Sequence, residues 1–176
     1  MLEFAEWLQT TRLSVGLRAV DAWSIPVLQS IHILMIGVVF VSVLVVALRV
    51  LGRMRTDQPL PDVVSRFAPW LWGGLTVMLL TGALLGIAEP VRQVTTLSFW
   101  LKMALIVVGV VVAAAFQRSV RAKTASGAAV APSGATKAFA GVTIVLWLAI
   151  IFLGRAIGYD YEIWGELSPV HAGSAE

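Results

Sequence analysis

Four long runs of apolar residues divide the chain, and none of them alternates regularly between polar and apolar positions. A membrane-spanning helix needs about 20 mostly apolar residues, whereas the strands of a membrane barrel alternate in polarity over about 10. The pattern therefore predicts an all-α polytopic membrane protein, a four-transmembrane-helix bundle forming a single domain over 1–176. The predicted spans lie at about 24–49, 67–88, 97–117 and 138–157.

Residues that typically begin or interrupt helices stand near the ends of these runs. Ser24 and Ser98 are predicted N-caps of the first and third spans, and Pro69 is predicted to open the second. Residues 118–137 include an Ala/Ser/Gly/Pro/Thr-rich stretch at 122–136 and are predicted to form a flexible loop. Residues 158–176 form a polar tail.

The segment before the first run, residues 2–23, has the spacing of an amphipathic helix. Phe4, Trp7, Leu8, Thr11 and Val15 follow one another at intervals of three or four residues. Glu3 and Glu6 stand where a signal peptide would be basic. Two interpretations stay open: an interfacial helix lying on the membrane, or one or two short helices packed on the end of the bundle.

Composition narrows the class of protein. The chain is 59% hydrophobic and 13% charged, with a mean hydropathy of +0.88. Soluble domains are nearer half apolar and a quarter charged, so a soluble enzyme and a disordered chain are both disfavoured. Basic residues lie between the apolar runs rather than in one patch, which argues against nucleic acid as a partner. Cysteine is absent, which excludes disulfides, thiolate metal sites and c-type haem attachment.

The distribution of charge predicts an orientation. The side that carries the loops around 52–66 and 118–137, with Arg49, has eight basic and two acidic residues, a net charge of +6. The side that carries both termini has five basic and eight acidic residues, a net charge of −3. The positive-inside rule then predicts a bacterial inner (cytoplasmic) membrane protein with those two loops cytoplasmic and both termini periplasmic.

Few ionisable residues remain within the predicted bilayer, and they converge on one level. His32 lies six residues after Pro26, about 9 Å along the helix. Lys102 lies about one turn into the third span, and Glu89 and Arg155 end the second and fourth spans on the same side. Because intramembrane ionisable residues are costly, this level is the candidate site for chemistry.

The first candidate ligand is haem b. His32 could be an axial ligand of the iron, while Lys102 and Arg155 neutralise the propionates. A second axial ligand is missing from the pattern, because the only other histidine, His171, lies in the tail. A second copy of His32 across a homodimer interface, or Met103, could supply it.

Two other ligands fit some of the same residues. His32 could bind a quinone carbonyl by a hydrogen bond, with Glu89 exchanging the proton. His32, Met35 and Met103 could instead bind copper, although nothing in their spacing is diagnostic of it.

An interpretation without any cofactor remains open as well. A lone histidine in a bundle often serves only as an interhelical hydrogen-bond donor, here to Ser30, Thr81 or Glu89. Lys102 and Arg155 lie close enough to helix ends to extend to the headgroups. The Gly82-x-x-x-Gly86 motif predicts close helix packing, more often inside a bundle than between subunits.

Several of these residues recur together in a known pattern. They are Ser24-Ile25-Pro26 before His32, Leu48 to Gly52, Pro69-Trp70, Thr81-Gly82 and Phe99-x-x-Lys102. In this order they resemble an uncharacterised family of small bacterial four-helix membrane proteins, over most of residues 3–117. Ala47 stands where that family usually has aspartate. The family is distantly similar to copper-resistance D membrane domains and to b-type cytochrome bundles, which implies a site at His32 and Lys102.

The leading functional hypothesis is a non-catalytic redox or cofactor-binding subunit, with haem b or a quinone beside His32 in the periplasmic leaflet. One alternative is a structural or assembly subunit of a larger membrane complex, which the missing second ligand favours. Another is a small metal-ion or proton transporter, which the scarcity of polar residues in the inner half of the bundle disfavours. An independent enzyme is the weakest hypothesis, because no nucleophile–base pair or catalytic motif is evident.

Overall fold

The computed structural model describes residues 2–19, 23–127 and 131–167, and within these ranges the regular structure is helical throughout. The helices, in chain order, are α1 (Leu2–Thr10), α2 (Arg12–Ala19), α3 (Ser24–Val50), α4 (Leu60–Ala88), α5 (Pro90–Val94), α6 (Leu97–Ala125), α7 (Gly134–Ala156) and α8 (Asp160–Trp164). Single 3₁₀ turns at Ile157–Tyr159 and Gly165–Leu167 flank α8.

Helices α3, α4 and α6, and α7 with its continuation through α8, are each long and apolar enough to cross a membrane. Large apolar side chains cover their outer surfaces; Leu79 on α4 and Phe152 on α7 are 69% and 70% exposed. Such side chains are stable on the outside of a bundle only where the surrounding solvent is hydrocarbon. The prediction of an all-α, multi-pass membrane protein is confirmed.

Two helices extend beyond their predicted spans at one end of the bundle. Helix α4 begins at Leu60, seven residues before the predicted span, so Pro69 lies inside the helix rather than at its start. Pro61 occupies the first turn instead, where a missing N–H costs no helical hydrogen bond. Helix α6 continues to Ala125, into the segment predicted as loop, because Gln, Arg, Ala and Lys favour helix.

The four long helices contact one another unequally. Helix α3 packs most extensively on α4, α7 packs on both α3 and α6, and the contact between α4 and α6 is the smallest of these. An indole-to-amide hydrogen bond of 2.9 Å, from Trp72 Nε1 to Gln117 Oε1, joins α4 to α6. The central core contains seven buried side chains: Val39, Val43, Leu71, Leu75, Met78, Trp147 and Ile150.

The bundle has two different ends. The arginine-rich end carries the α3–α4 turn and the α6–α7 connection, and the terminal end carries α1, α2, α5 and α8. At the arginine-rich end, Arg49 donates from Nε and Nη2 to the carbonyl oxygen of Gln58, at 2.8 and 2.7 Å. These bonds close the turn in which Gly52 has a φ of +72°, a conformation that glycine adopts without strain.

The N-terminal segment forms two short helices that combine features of both predicted arrangements. Helix α1 packs against α5 and helix α2 against α4, with Ala5 and Ser14 fully buried in these contacts. The large side chains face outward, and Phe4, Trp7 and Leu13 are 57–63% exposed. The helices are therefore packed on the bundle end, and they present an apolar face suited to a membrane interface.

Candidate functional site

The imidazole of His32, on helix α3, forms a hydrogen bond with helix α4. Its Nδ1 lies 2.8 Å from the hydroxyl oxygen of Thr81. Thr81 was one of three partners that the sequence predicted for this histidine, and that prediction is confirmed. His32 is half-buried and Thr81 is buried, while Ile31 and Ile33 on either side of His32 are exposed.

The hydrogen bonds of Thr81 determine which imidazole nitrogen carries the proton. A hydroxyl has a single hydrogen, and Thr81 Oγ1 lies 2.8 Å from the carbonyl oxygen of Val77, to which it donates. With the hydroxyl hydrogen on that carbonyl, we infer that Oγ1 accepts from His32 Nδ1–H. Neutral imidazole protonated at Nδ1 has an unprotonated Nε2, the nitrogen available to a hydrogen-bond donor or a metal ion.

Gly82, next to Thr81, allows the imidazole ring to lie close against helix α4. A methyl group at this position would stand 3.1 Å from His32 Cε1 and 3.7 Å from Nδ1. The contact lies within one chain, so Gly82 serves internal packing as predicted. Gly86, one turn further along, has open space at the same position.

Lys102 reaches the same level from helix α6. Its ammonium group lies close enough to His32 for a direct electrostatic interaction between the two side chains. On the other side, its Nζ would lie 3.5 Å from a methyl group placed on Gly154 of α7, so the absent side chain leaves room for the lysine. Among the described residues no carboxylate forms an ion pair with Lys102. Lys102 and His32 thus interact electrostatically, and a binding site that they share stays a prediction.

Glu89 and Arg155 lie at the same end of the bundle but bind other partners. Glu89 Oε2 forms a 2.9 Å ion pair with Arg92, and both side chains are about half exposed. Arg155 lies over the ring of Tyr159, 5.2 Å from its centroid, and donates a 3.2 Å hydrogen bond to its hydroxyl. Their observed contacts are therefore with residues near them in the chain.

The two methionines predicted as soft ligands lie in different surroundings. Met35 packs against the central core beside Val39 and Met78, and Met103 is half-buried on α6. Within the described ranges no three His, Asp or Glu side chains are grouped closely enough to hold a metal ion. His171 lies outside the described residues.

Sequence reasoning missed Asp160, which is 4% exposed. Its carboxylate accepts hydrogen bonds from the backbone N–H groups of Leu97 and Ser98, at 3.1 and 2.9 Å, and so caps α6 from outside the helix. Ser98, the predicted N-cap, instead accepts a 2.8 Å hydrogen bond from Trp164 Nε1. The partners are 62 and 63 residues apart, so no local pattern could have revealed the cap.

These features define a class: a multi-pass helical membrane protein whose bundle holds an imidazole and an ammonium group near its terminal end. The chain belongs to the family of unknown function DUF6644, whose profile matches residues 4–160. The match ends at the capping residue Asp160, so it includes His32, Thr81 and Lys102 together with the cap of α6. No curated protein and no solved structure matches the chain.

Proposed function

We propose that this protein is a non-catalytic membrane subunit that binds a quinone beside His32 and Lys102. The observation that carries the proposal is the 2.8 Å contact of His32 Nδ1 with Thr81, which leaves Nε2 as the ring nitrogen open to a ligand, at a site where the charge of Lys102 acts on the imidazole. A quinone supplies two-electron, two-proton redox chemistry when it is bound.

The two side chains offer complementary hydrogen-bonding chemistry. His32 Nε2 can accept from the hydroxyl group of a reduced ring, and Lys102 Nζ can donate to the carbonyl oxygen of an oxidised one. The hydrogen bond to Thr81 holds the imidazole in place and keeps its proton on Nδ1. Lys102 has no carboxylate partner among the described residues, so its charge is available to an electron-rich oxygen.

Location favours the same ligand. Exposed Ile31, Ile33 and Leu34 surround His32 along α3, so the site is open laterally to hydrocarbon rather than to water. Quinones dissolve in that hydrocarbon and approach a bundle from the side.

Haem b is the second candidate, and the open Nε2 of His32 is the observation that favours it, because axial histidines bind iron through this nitrogen while the other is hydrogen-bonded. The residues fit haem less well. Met35 lies in the core, and an opposing ligand would have to come from Met103 or from His32 of a second copy. A quinone needs no second ligand opposite His32.

We also propose that the protein resides in a bacterial inner membrane with its arginine-rich end in the cytoplasm and its terminal end in the periplasm. The charge asymmetry of +6 against −3 supports this orientation. It would place His32 and Lys102 in the periplasmic leaflet.

Equilibrium binding of a decyl-substituted benzohydroquinone, kept reduced under anaerobic conditions, to the purified protein tests the assignment. Quenching of tryptophan fluorescence in mild detergent reports the affinity. Replacing either contact group, as His32→Gln or Lys102→Met, should weaken binding about 10-fold or more, since each removes a hydrogen bond worth about 1.4 kcal/mol. Thr81→Val, which removes the group that orients the imidazole, should weaken binding about 3- to 10-fold.

Thr76→Val is the matched control, because Thr76 lies on the same helix, is exposed, and bonds only the carbonyl of Trp72 in its own helix. It should bind the quinone as the unmodified protein does. Equal affinity in His32→Gln and the unmodified protein would show that the histidine has only a structural role. A Soret band that disappears in His32→Gln would assign the site to haem and overturn the quinone proposal.

A further inference from the structure

An apolar cavity lies in the half of the bundle opposite to His32. It has a volume of about 440 Å³ and is lined by residues of α3, α4, α6 and α7. Along α3 it extends from Ser42 to Val50, eight residues or about 12 Å. Small side chains leave this space open where the helices converge; they include Ala47, Ala68, Ala113, Ala115, Ala135 and Ala140.

The walls of this cavity offer hydrocarbon contacts and few free polar groups. No charged residue lines it, and the hydroxyls of Ser42 and Thr143 donate to carbonyls of their own helices at 2.7 and 2.8 Å. Thr136 shares a hydrogen bond with Ser133, and the amide oxygen of Gln117 accepts from Trp72. The polar groups of a ring such as a quinone would therefore find few hydrogen-bond partners here. A hydrocarbon chain has no polar groups to satisfy and enters without that cost.

The cavity is also separate from the site at His32. Three side chains of the central core, Val39, Leu75 and Met78, lie between the two levels and are buried. A ligand could not bind His32 and fill this space through that layer. The present inference therefore does not rest on the proposed quinone site.

An unfilled apolar cavity of this size is unfavourable, because its walls forgo dispersion contacts. An engineered apolar cavity of about 150 Å³ already binds benzene, and this one is about three times larger. Water is excluded by the lack of polar partners. The surrounding bilayer provides abundant hydrocarbon chains that could enter from the side.

Basic residues stand next in the chain to residues that line the cavity, on three different helices. Arg66 precedes Phe67, Arg118 follows Gln117, and Lys137 follows Thr136; all three basic residues are exposed. They lie at the arginine-rich end, the side of the bundle whose net charge is +6. An anionic phosphate would be attracted to them once the attached chain is inserted.

We propose that this cavity is a binding site for one acyl chain of an anionic phospholipid, whose phosphate is held by Arg66, Arg118 and Lys137. The bound chain completes the packing between α4 and α6, whose contact is much smaller than those of α3 with α4 and of α7 with α3 and α6. The lipid is thus a structural ligand of the bundle.

Native mass spectrometry of the protein in mild detergent, mixed with equal amounts of phosphatidylglycerol and phosphatidylcholine, tests the proposal. The unmodified protein should retain one phosphatidylglycerol in preference to phosphatidylcholine. Ala113→Phe should fill the cavity and reduce retention about 10-fold or more. Ala104→Phe is the matched control: nine residues earlier on α6, Ala104 is exposed and on the opposite face of the helix, so retention should be unchanged.

A second test changes only exposed basic residues and leaves the cavity itself unaltered. Arg118→Gln combined with Lys137→Gln should reduce the preference for phosphatidylglycerol about 3-fold or more, while Arg12→Gln, exposed at the terminal end, should leave it intact. Absence of a retained lipid in the unmodified protein would overturn the proposal. So would equal retention in Ala113→Phe and Ala104→Phe, or an unchanged lipid preference in the double variant.

Discussion

At the scale of single residues, the site depends on the direction of one hydrogen bond. Sequence could name His32 and place Thr81 among its partners, because the helix spacing brings both to one level. It could not tell which ring nitrogen faces Thr81, since that depends on how α3 packs on α4. Nor could it tell that the Thr81 hydroxyl lies within hydrogen-bonding distance of the Val77 carbonyl. Because His32 and Thr81 are 49 residues apart, the local sequence around either residue does not indicate the geometry of their contact.

The two glycines of α4 provide a test of how closely the imidazole packs. An alanine replacing a helical glycine ordinarily stabilises a protein by about 0.5–1 kcal/mol, because it restricts the unfolded chain. Gly86→Ala, with open space, should show this gain. Gly82→Ala should not, because its methyl group would lie 3.1 Å from His32 Cε1 and push the ring away.

The measurement is the free energy of unfolding of both variants by denaturing detergent added to mild-detergent micelles. Quinone affinity of Gly82→Ala should also fall, while that of Gly86→Ala should not change. Equal stabilisation by the two alanines would contradict the observed contact.

At the scale of elements, apolar patterning predicted the four long helices and failed at their ends. Hydropathy identifies the part of a helix that lies in hydrocarbon. It does not show whether the same helix continues beyond the apolar run. Residues 60–66 and 118–125 are such extensions, and Leu60, Val64 and Val120 within them are buried in contacts at the arginine-rich end. Asp160 was missed for another reason, because capping by a distant side chain has no sequence motif.

The cap of α6 should contribute measurably to stability. Asp160→Ala leaves the backbone N–H groups of Leu97 and Ser98 without the carboxylate and should lower the free energy of unfolding by about 1–2 kcal/mol. Glu162→Ala, an exposed acidic residue two positions away, should change it by less than about 0.5 kcal/mol. A comparable loss in both variants would indicate that charge at this end, not the cap, is what stabilises the helix.

At the scale of the whole molecule, two different environments occupy the two ends of one bundle. The terminal end holds an imidazole and an ammonium group, and the arginine-rich end holds an apolar cavity next to basic residues. Sequence predicted the first from the scarcity of ionisable residues within the spans. The cavity could not be predicted, because it arises from small residues on four helices whose alignment only the packed bundle reveals.

The proposed orientation can be read from single cysteines, since the natural chain has none. Glu162→Cys and Ser126→Cys place one thiol at each end, both on exposed residues. In spheroplasts, a maleimide that cannot cross the membrane should label Glu162→Cys directly and Ser126→Cys only after lysis. The opposite pattern would reverse the orientation and contradict the assignment based on charge.

The central claim is that His32 keeps its proton on Nδ1 and offers Nε2 to a quinone. The chain has two histidines, so His171→Gln leaves His32 as the single imidazole in ¹⁵N-histidine-labelled protein. Nitrogen NMR should show a protonated Nδ1 and an unprotonated Nε2, and added reduced quinone should shift the Nε2 resonance most. A proton on Nε2, or a spectrum that does not respond to the quinone, would contradict the claim.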